Sequence, residues 1–139
     1  MERKLIEEMI KAYMMRVSDD GVVYKGYIGE IENSLKAKQE FVGGLIQVIP
    51  ITSEIDLICN DEGKLRNLPI NRALFYDTGK KDEMYDFVVG NCLCVRHNNS
   101  GYFTSILDED IPIIRRFVKC IKYNKKFGSI SVVDDTDIK

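Results

Sequence analysis

The sequence predicts an α+β fold, in which a small mixed β-sheet of about five to six strands packs against two longer helices and one short helix. Two observations support this prediction. Short apolar strand patterns alternate with helical patterns along the chain, and the turn at residues 60–63 (NDEG) suits a hairpin. The 139 residues suit one domain, residues 1–139, rather than two complete cores.

The N-terminal segment predicts the first long helix, over residues 3–16. Arg16 near its end suits the helix macrodipole. Its apolar side chains recur at helical spacing and form one stripe: Leu5, Ile6, Met9, Ile10, Tyr13 and Met14. Two roles stay open for this helix, since it would either pack on its own domain or form a homo-oligomer or partner contact.

A strand and a short helix follow. Residues 22–31 are rich in β-branched and aromatic residues, which favours a strand. A short helix is expected over residues 35–42, because Asn33 or Ser34 suits its N-cap and Gly43-Gly44 suits its end.

The middle of the chain predicts three more strands. Two are expected over residues 45–49 and 55–59, and a third over residues 87–95, which are apolar at successive positions and so indicate a central strand. Residues 67–74 predict one or two helical turns, because Pro69 suits the first helical position.

The C-terminal part predicts the second long helix, over residues 110–126, then an edge strand over residues 130–133 and a frayed acidic tail. Basic residues dominate this helix: Arg115, Arg116, Lys119, Lys122, Lys125 and Lys126. Three of them recur at i, i+4 and i+7 on one helical face, which is either an ordinary solvated face or a surface for phosphates or an acidic protein.

Four motifs occur in order along the middle of the chain. They are residues 41–50 (FVGGLIQVIP), 59–64 (CNDEGK), 68–74 (LPINRAL) and 86–91 (DFVVGN). Together they resemble an uncharacterised domain family of phage, prophage and plasmid-type bacterial proteins, over residues 29–105. The resemblance implies a small cytoplasmic accessory protein and no particular reaction. It leaves the two predicted long helices outside the family-like core.

Lys64, Asn71 and Arg72 form the candidate ligand site. Arginine offers a planar fork for a carboxylate or phosphate, and asparagine offers both a donor and an acceptor. One hypothesis is a small anionic, nucleotide-like ligand. The other is a structural lock, in which Arg72 pairs with Asp61 or Glu62.

The four cysteines and the single histidine predict core packing rather than chemistry. Cys92 and Cys94 share one face of a strand, but a zinc site needs about four ligands, which Cys59, Cys120 or His97 would have to complete. A catalytic histidine needs an orienting carboxylate and a nucleophile, and the sequence assigns neither to His97. We therefore expect no catalytic residue, no metal and no cofactor.

The charge and hydropathy of the sequence limit where the protein is expected to lie in the cell and what it is expected to bind. The chain carries 20 basic and 22 acidic residues, which argues against general binding to nucleic acid or to membrane surfaces. No apolar run reaches the roughly 18 residues of a membrane-spanning helix, and the N-terminus lacks the apolar core of a secretory signal. We therefore expect a cytoplasmic protein with reduced thiols.

These observations favour a non-catalytic binding protein of a phage or other mobile element. It would sequester a small anionic ligand or occlude a host protein, and the resemblance adds an anti-defence role by association only. The alternative is a nucleic-acid-associated regulator that uses the basic C-terminal helix. An enzyme is the least supported hypothesis.

Overall fold

A computed structural model of the chain describes residues 8–76 and 83–138, and antiparallel β-strands dominate them. In these residues, ten strands form two sheets, accompanied by two α-helices of eight residues each. The predicted mixed sheet packed against two long helices is therefore wrong. Within the described part of the chain, no helix has the length and apolar character to cross a membrane.

The two sheets have simple antiparallel orders. In chain order the elements are β1 (Met9–Met15), β2 (Tyr27–Glu32), α1 (Leu35–Val42), β3 (Ile46–Pro50), β4 (Ile55–Asn60), β5 (Ile70–Tyr76), β6 (Glu83–Val89), β7 (Cys92–His97), β8 (Phe103–Thr104), α2 (Asp110–Phe117), β9 (Val118–Asn124), β10 (Ser129–Val133) and a 3₁₀ helix (Asp135–Asp137). The first sheet runs β2-β1-β7-β4-β3, with β8 paired to the end of β7. The second sheet runs β10-β9-β5-β6.

Two apolar clusters hold the layers together. One lies between the sheets and includes Leu57 of β4, Cys94 of β7, Leu74 of β5 and Ile114 of α2. The other lies on the opposite face of the first sheet, where Val42 of α1 packs with residues of β1, β2, β4 and β7. The first sheet is therefore covered on both faces, and burial of its apolar side chains supplies the main driving force for folding.

The short helix α1 has the predicted bounds. The backbone N–H of Ala37 donates to Ser34 Oγ at 3.1 Å, so Ser34 is the N-cap. Gly43 ends the helix at φ 81°, a left-handed conformation that glycine adopts without steric cost. Strands β3, β4 and β10 begin within one residue of their predicted starts.

The predicted helix over residues 3–16 is wrong where the structure describes it. Residues 9–15 form β1, which pairs with β2 on one side and with β7 on the other. Tyr13 faces the cluster between the sheets, while Met14 faces the α1 side. A strand buried on both faces has apolar residues at successive positions, and these also match a helical stripe. Residues 3–7 of that prediction lie outside the described residues.

The predicted basic helix over residues 110–126 is also wrong beyond Phe117. The chain leaves α2 there and continues as β9, with Val118 in extended geometry at φ −125° and ψ 110°. Val118 lies opposite Leu74 of β5 and is buried between the sheets. Pairing with β5 and burial of β-branched Val118 favour the strand over continued helix.

Two further boundaries differ from prediction. Residues 67–74 do not form helical turns, because Ile70 begins β5, which pairs with both β6 and β9. Pro69 lies just before that strand, where its missing N–H removes no ladder hydrogen bond. The predicted strand 87–95 divides at Gly90 and Asn91 into the ends of β6 and β7, which belong to different sheets.

A buried ion pair joins the second sheet to the C-terminal segment. Arg72 of β5 is fully buried, and its Nε donates to Asp135 Oδ1 at 2.8 Å. The Tyr13 hydroxyl donates to the same carboxylate, and the Gly26 N–H lies 3.2 Å from its Oδ2. A Cβ at Gly26 would collide with Tyr13, so this approach requires glycine. The acidic tail expected to be frayed is thus anchored in the core through Asp135.

The remaining donors of Arg72 are also satisfied. Nη2 donates to the Tyr24 carbonyl at 2.8 Å, and Nη1 donates to Asn71 Oδ1 at 2.6 Å. Burial and the hydrogen bond to Asp135 raise the pKa of Tyr13 well above its usual range. In residues 8–76 and 83–138, every buried side-chain nitrogen or oxygen has a hydrogen-bond partner.

We expect Arg72→Ala to lower the free energy of unfolding by about 3–5 kcal/mol, because it leaves the Asp135 carboxylate buried without its cation. Lys64→Ala is the matched control: it breaks an exposed ion pair with Asp86 and should cost at most about 1 kcal/mol. Urea denaturation measures both. Equal, small losses for the two variants would contradict a structural role for Arg72.

Candidate functional site

The three residues of the predicted ligand site do not form a common pocket. Arg72 and Asn71 are buried, and the Asn71 amide donates to the carbonyls of Met15 and Gly90. The carboxylate that pairs with Arg72 belongs to Asp135, so the predicted pairing with the 60–63 turn does not form. A ligand would have to displace these internal contacts to reach the guanidinium.

Lys64 is the member of the trio that faces solvent. Its Nζ lies 2.6 Å from Asp86 Oδ1 and 4.4 Å from the centroid of the Phe87 ring. Partial burial raises the pKa of Asp86, but the hydrogen bonds from Lys64 and from the Phe87 N–H outweigh burial and lower the pKa overall. The Lys64 side chain therefore lies against the edge strand β6 and not beside Arg72.

The six basic residues of the predicted helix are divided among three parts of the fold. Arg115 and Arg116 lie on α2, Lys119 and Lys122 on β9, and residues 125 and 126 in the turn between β9 and β10. Residues three apart on a strand point to opposite faces, so the helical spacing that united Arg115, Lys119 and Lys122 has no counterpart here.

Contacts to other side chains engage several of these cations, and Arg116 lies 5.8 Å from the centroid of the Phe117 ring. Arg115 Nε lies 3.4 Å from the Tyr13 hydroxyl, and Lys119 Nζ lies 3.2 Å from Asp134 Oδ1. Lys122 and the two lysines of the turn are exposed. Residues 118–133 form the terminal hairpin, and the basic character is concentrated at its outer end.

The cysteines belong to the core. All four are free and buried, and Cys92 and Cys94 lie in the cluster between the sheets. Burial raises the pKa of the Cys59 thiol to about 11 and that of Cys92 to about 12. Within residues 8–76 and 83–138, no group of three or more His, Cys, Asp or Glu side chains is placed to hold a metal ion.

Sequence reasoning missed a carboxylate partner for the histidine. His97 Nδ1 lies 2.7 Å from Asp56 Oδ2, because β7 and β4 are neighbours in the first sheet. Cys94 is three residues from His97 on the same strand and faces the opposite side, so the two cannot form a nucleophile–base pair. No local pattern in the sequence indicates Asp56, since the contact depends on strand pairing.

The four edges of the two sheets differ in how well they are protected against pairing with another strand. Of the first sheet, β2 carries Glu30 and Glu32, and β3 ends in Pro50. Of the second sheet, β6 carries Glu83 and Asp86 and has a register irregularity opposite β5. Charges, proline and bulges are the features by which proteins block edge-to-edge pairing.

Edge strand β10 has none of these features. Its five residues, Ser-Ile-Ser-Val-Val, carry no charge and no proline, and its pairing with β9 is regular over the whole strand. Ile130 is 56% exposed and Val132 is 42% exposed, and both lie on the face of Ile121 in β9. An edge strand leaves alternate N–H and C=O groups unpaired, so β10 offers main-chain partners beside an apolar face.

The ends of β10 carry opposite charges. Lys125 and Lys126 lie in the turn before the strand, together with exposed Phe127. Asp134, whose side chain is 54% exposed, follows directly after the strand. A segment that pairs with β10 therefore meets positive charge at one end and negative charge at the other.

Comparison with known protein families assigns the domain to a family. The profile described as Domain of unknown function (DUF3846) matches residues 10–122. The chain belongs to the DUF3846 family. The match confirms the resemblance to an uncharacterised domain family and reaches beyond residues 29–105 at both ends. Searches of curated proteins and of solved structures give no match.

The DUF3846 match covers only part of the second sheet. It includes all of β1 except Met9 and the first five residues of β9, so much of the two flanks excluded from the predicted core is part of the family domain. Strand β10 and Asp135 lie beyond the matched residues. The Arg72–Asp135 ion pair thus connects the family domain to a segment outside its profile.

We expect the four thiols to react slowly with DTNB at pH 8 in the native protein and rapidly in urea. Burial keeps them protonated and sterically covered, whereas unfolding exposes them. Absorbance at the thionitrobenzoate band follows the reaction. One equivalent reacting at once in the native protein would reveal an accessible thiolate and contradict this assignment to the core.

Proposed function

We propose that this DUF3846 protein is a non-catalytic binding protein that captures an extended segment of a partner protein on β10. The observation that carries the proposal is the unprotected edge of the second sheet: β10 is exposed, uncharged and regularly paired on one side only. Main-chain hydrogen bonds to an added strand supply affinity, and side chains that alternate along it supply specificity.

The chemistry of the hairpin specifies the partner. Its strand would place β-branched or aromatic residues against Ile130 and Val132. Acidic residues at one end would lie near Lys125 and Lys126, and a basic residue at the other end would suit Asp134. Such charges guide orientation and association rate more than they add affinity.

Burial argues against the predicted small-anion site as the main function. Arg72 and Asn71 form their hydrogen bonds with other groups inside the protein, and Lys64 forms an ion pair with Asp86. Of the two modes of action in the sequence hypothesis, occlusion of a protein therefore has the better support. A cytoplasmic setting, a mobile-element origin and an anti-defence role belong to the same proposal and rest on the sequence and its resemblance alone.

A nucleic-acid role is the second candidate. It is supported by the three exposed lysines at the outer end of a two-stranded ribbon, a shape that the major groove of DNA accepts. The formal net charge of −2 weighs against it, as do the ion pair of Lys119 and the apolar character of Ile130.

The first test is selection of binding peptides from a random display library at nanomolar concentrations of protein. We expect the selected peptides to have β-branched residues at alternate positions and an acidic end. We expect Val132→Lys to weaken their binding by about tenfold or more, because a lysine on an edge strand blocks pairing. Val48→Lys is the matched control, since Val48 on the β3 edge is 41% exposed and Val132 is 42% exposed.

Hydrogen exchange of the protein with a selected peptide completes this test. Protection of the β10 amides on peptide binding supports strand addition. Recovery of no peptides, or peptides that bind both lysine variants equally, would overturn β10 as the binding site.

The nucleic-acid candidate predicts salt-dependent binding to a fluorescent duplex, which disappears when Lys122, Lys125 and Lys126 are changed to Glu. Removing one lysine that neutralises a phosphate should reduce the slope of log affinity against log salt by about one. Fluorescence anisotropy at low salt decides this. A flat signal there removes the nucleic-acid candidate and leaves strand capture unaffected.

A further inference from the structure

We infer that the partner strand of β10 is β10 of a second copy of this chain, paired antiparallel about a two-fold axis at Ser131. This inference rests on the proposed function, because it uses the same unprotected edge. It specifies the occupant as a copy of the strand itself, and the reasons are the symmetry of the strand sequence and the charges at its ends.

The strand is complementary to itself. Pairing about Ser131 places Ile130 of each copy opposite Val132 of the other, and Ser129 opposite Val133. Ile130 and Val132 lie on one face, so two apolar cross-strand pairs form on that face. A two-fold interface requires such a match, because the same patch must serve both copies.

The charges at the two ends favour the same arrangement. Antiparallel pairing brings the turn that holds Lys125 and Lys126 of one copy toward exposed Asp134 of the other, twice by symmetry. Asp134 already contacts Lys119 in its own chain, yet its exposed side chain can reach a second cation. Parallel pairing would place lysine beside lysine and aspartate beside aspartate, which is unfavourable.

The β2 and β3 edges and residues 9–15 do not offer this match. Self-pairing of β2 would bring Glu30 and Glu32 together across the contact, and β3 has Pro50 at its end. The predicted dimer helix is absent from residues 9–15, because β1 lies inside the first sheet between β2 and β7. Dimerisation through β10 would extend the second sheet to eight strands across two copies.

Sedimentation equilibrium of the full chain over nanomolar to high micromolar concentrations tests this inference. One strand pair is a small interface, so we expect a dissociation constant of about micromolar or weaker. The mass should rise from 16.0 kDa toward twice that value. Val132→Lys should stay monomeric across the range, whereas Val48→Lys should dimerise as the unchanged chain does.

A charge swap tests the orientation of the strands. One variant carries Lys125→Glu and Lys126→Glu, and the other carries Asp134→Lys. Each alone should dimerise at least about tenfold more weakly, because like charges then meet at both ends. An equimolar mixture should form the mixed dimer, since opposite charges meet again. Circular dichroism and thermal melting check that both variants stay folded.

The outcomes separate this inference from the proposed function. A chain that is monomeric throughout, or a dimer unaffected by Val132→Lys, overturns pairing of two copies through β10. Selected peptides that protect β10 would still support strand capture in that case. Conversely, a β10 dimer from which no displayed peptide can be selected supports this inference and counts against capture of other proteins.

Discussion

The buried ion pair between Arg72 and Asp135 is the constraint on which the arrangement of both sheets depends. It joins β5 of the second sheet to the C-terminal 3₁₀ helix, and through the Tyr13 hydroxyl it reaches β1 of the first sheet. A buried charge is tolerated only when nearly all its hydrogen bonds are made. The Arg72 guanidinium meets this condition through its hydrogen bonds to Asp135, Tyr24 and Asn71.

This constraint also positions the edge to which we assign the function. Strand β10 runs directly into Asp134 and Asp135, so anchoring the second carboxylate in the core holds the end of β10 against β9. The anchor lets the strand stay regular and uncharged while it lies at an edge. The planar guanidinium of arginine is well suited to bind a carboxylate. Here it binds a carboxylate of the protein's own C-terminal segment rather than that of a ligand.

The parts of the fold that local chemistry controls were predictable. Ser34 and Gly43 bound α1 as capping rules require, and β3 and β4 begin within one residue of their predicted starts. The errors at β1 and β9 share one cause. Strands buried on both faces, or entered directly from a helix, show apolar residues at spacings that also fit a helix, and only their pairing partners decide between the two.

The sequence by itself determined the short helix, the placement of the cysteines in the core, the central position of residues 92–95 and the absence of charge on β10. The tertiary structure alone decided that Arg72 is internal, that His97 meets Asp56, and that β10 is the unprotected edge. The physical reason is distance along the chain: Asp135 lies 63 residues from Arg72. Contacts of that separation depend on strand order, which no local pattern specifies.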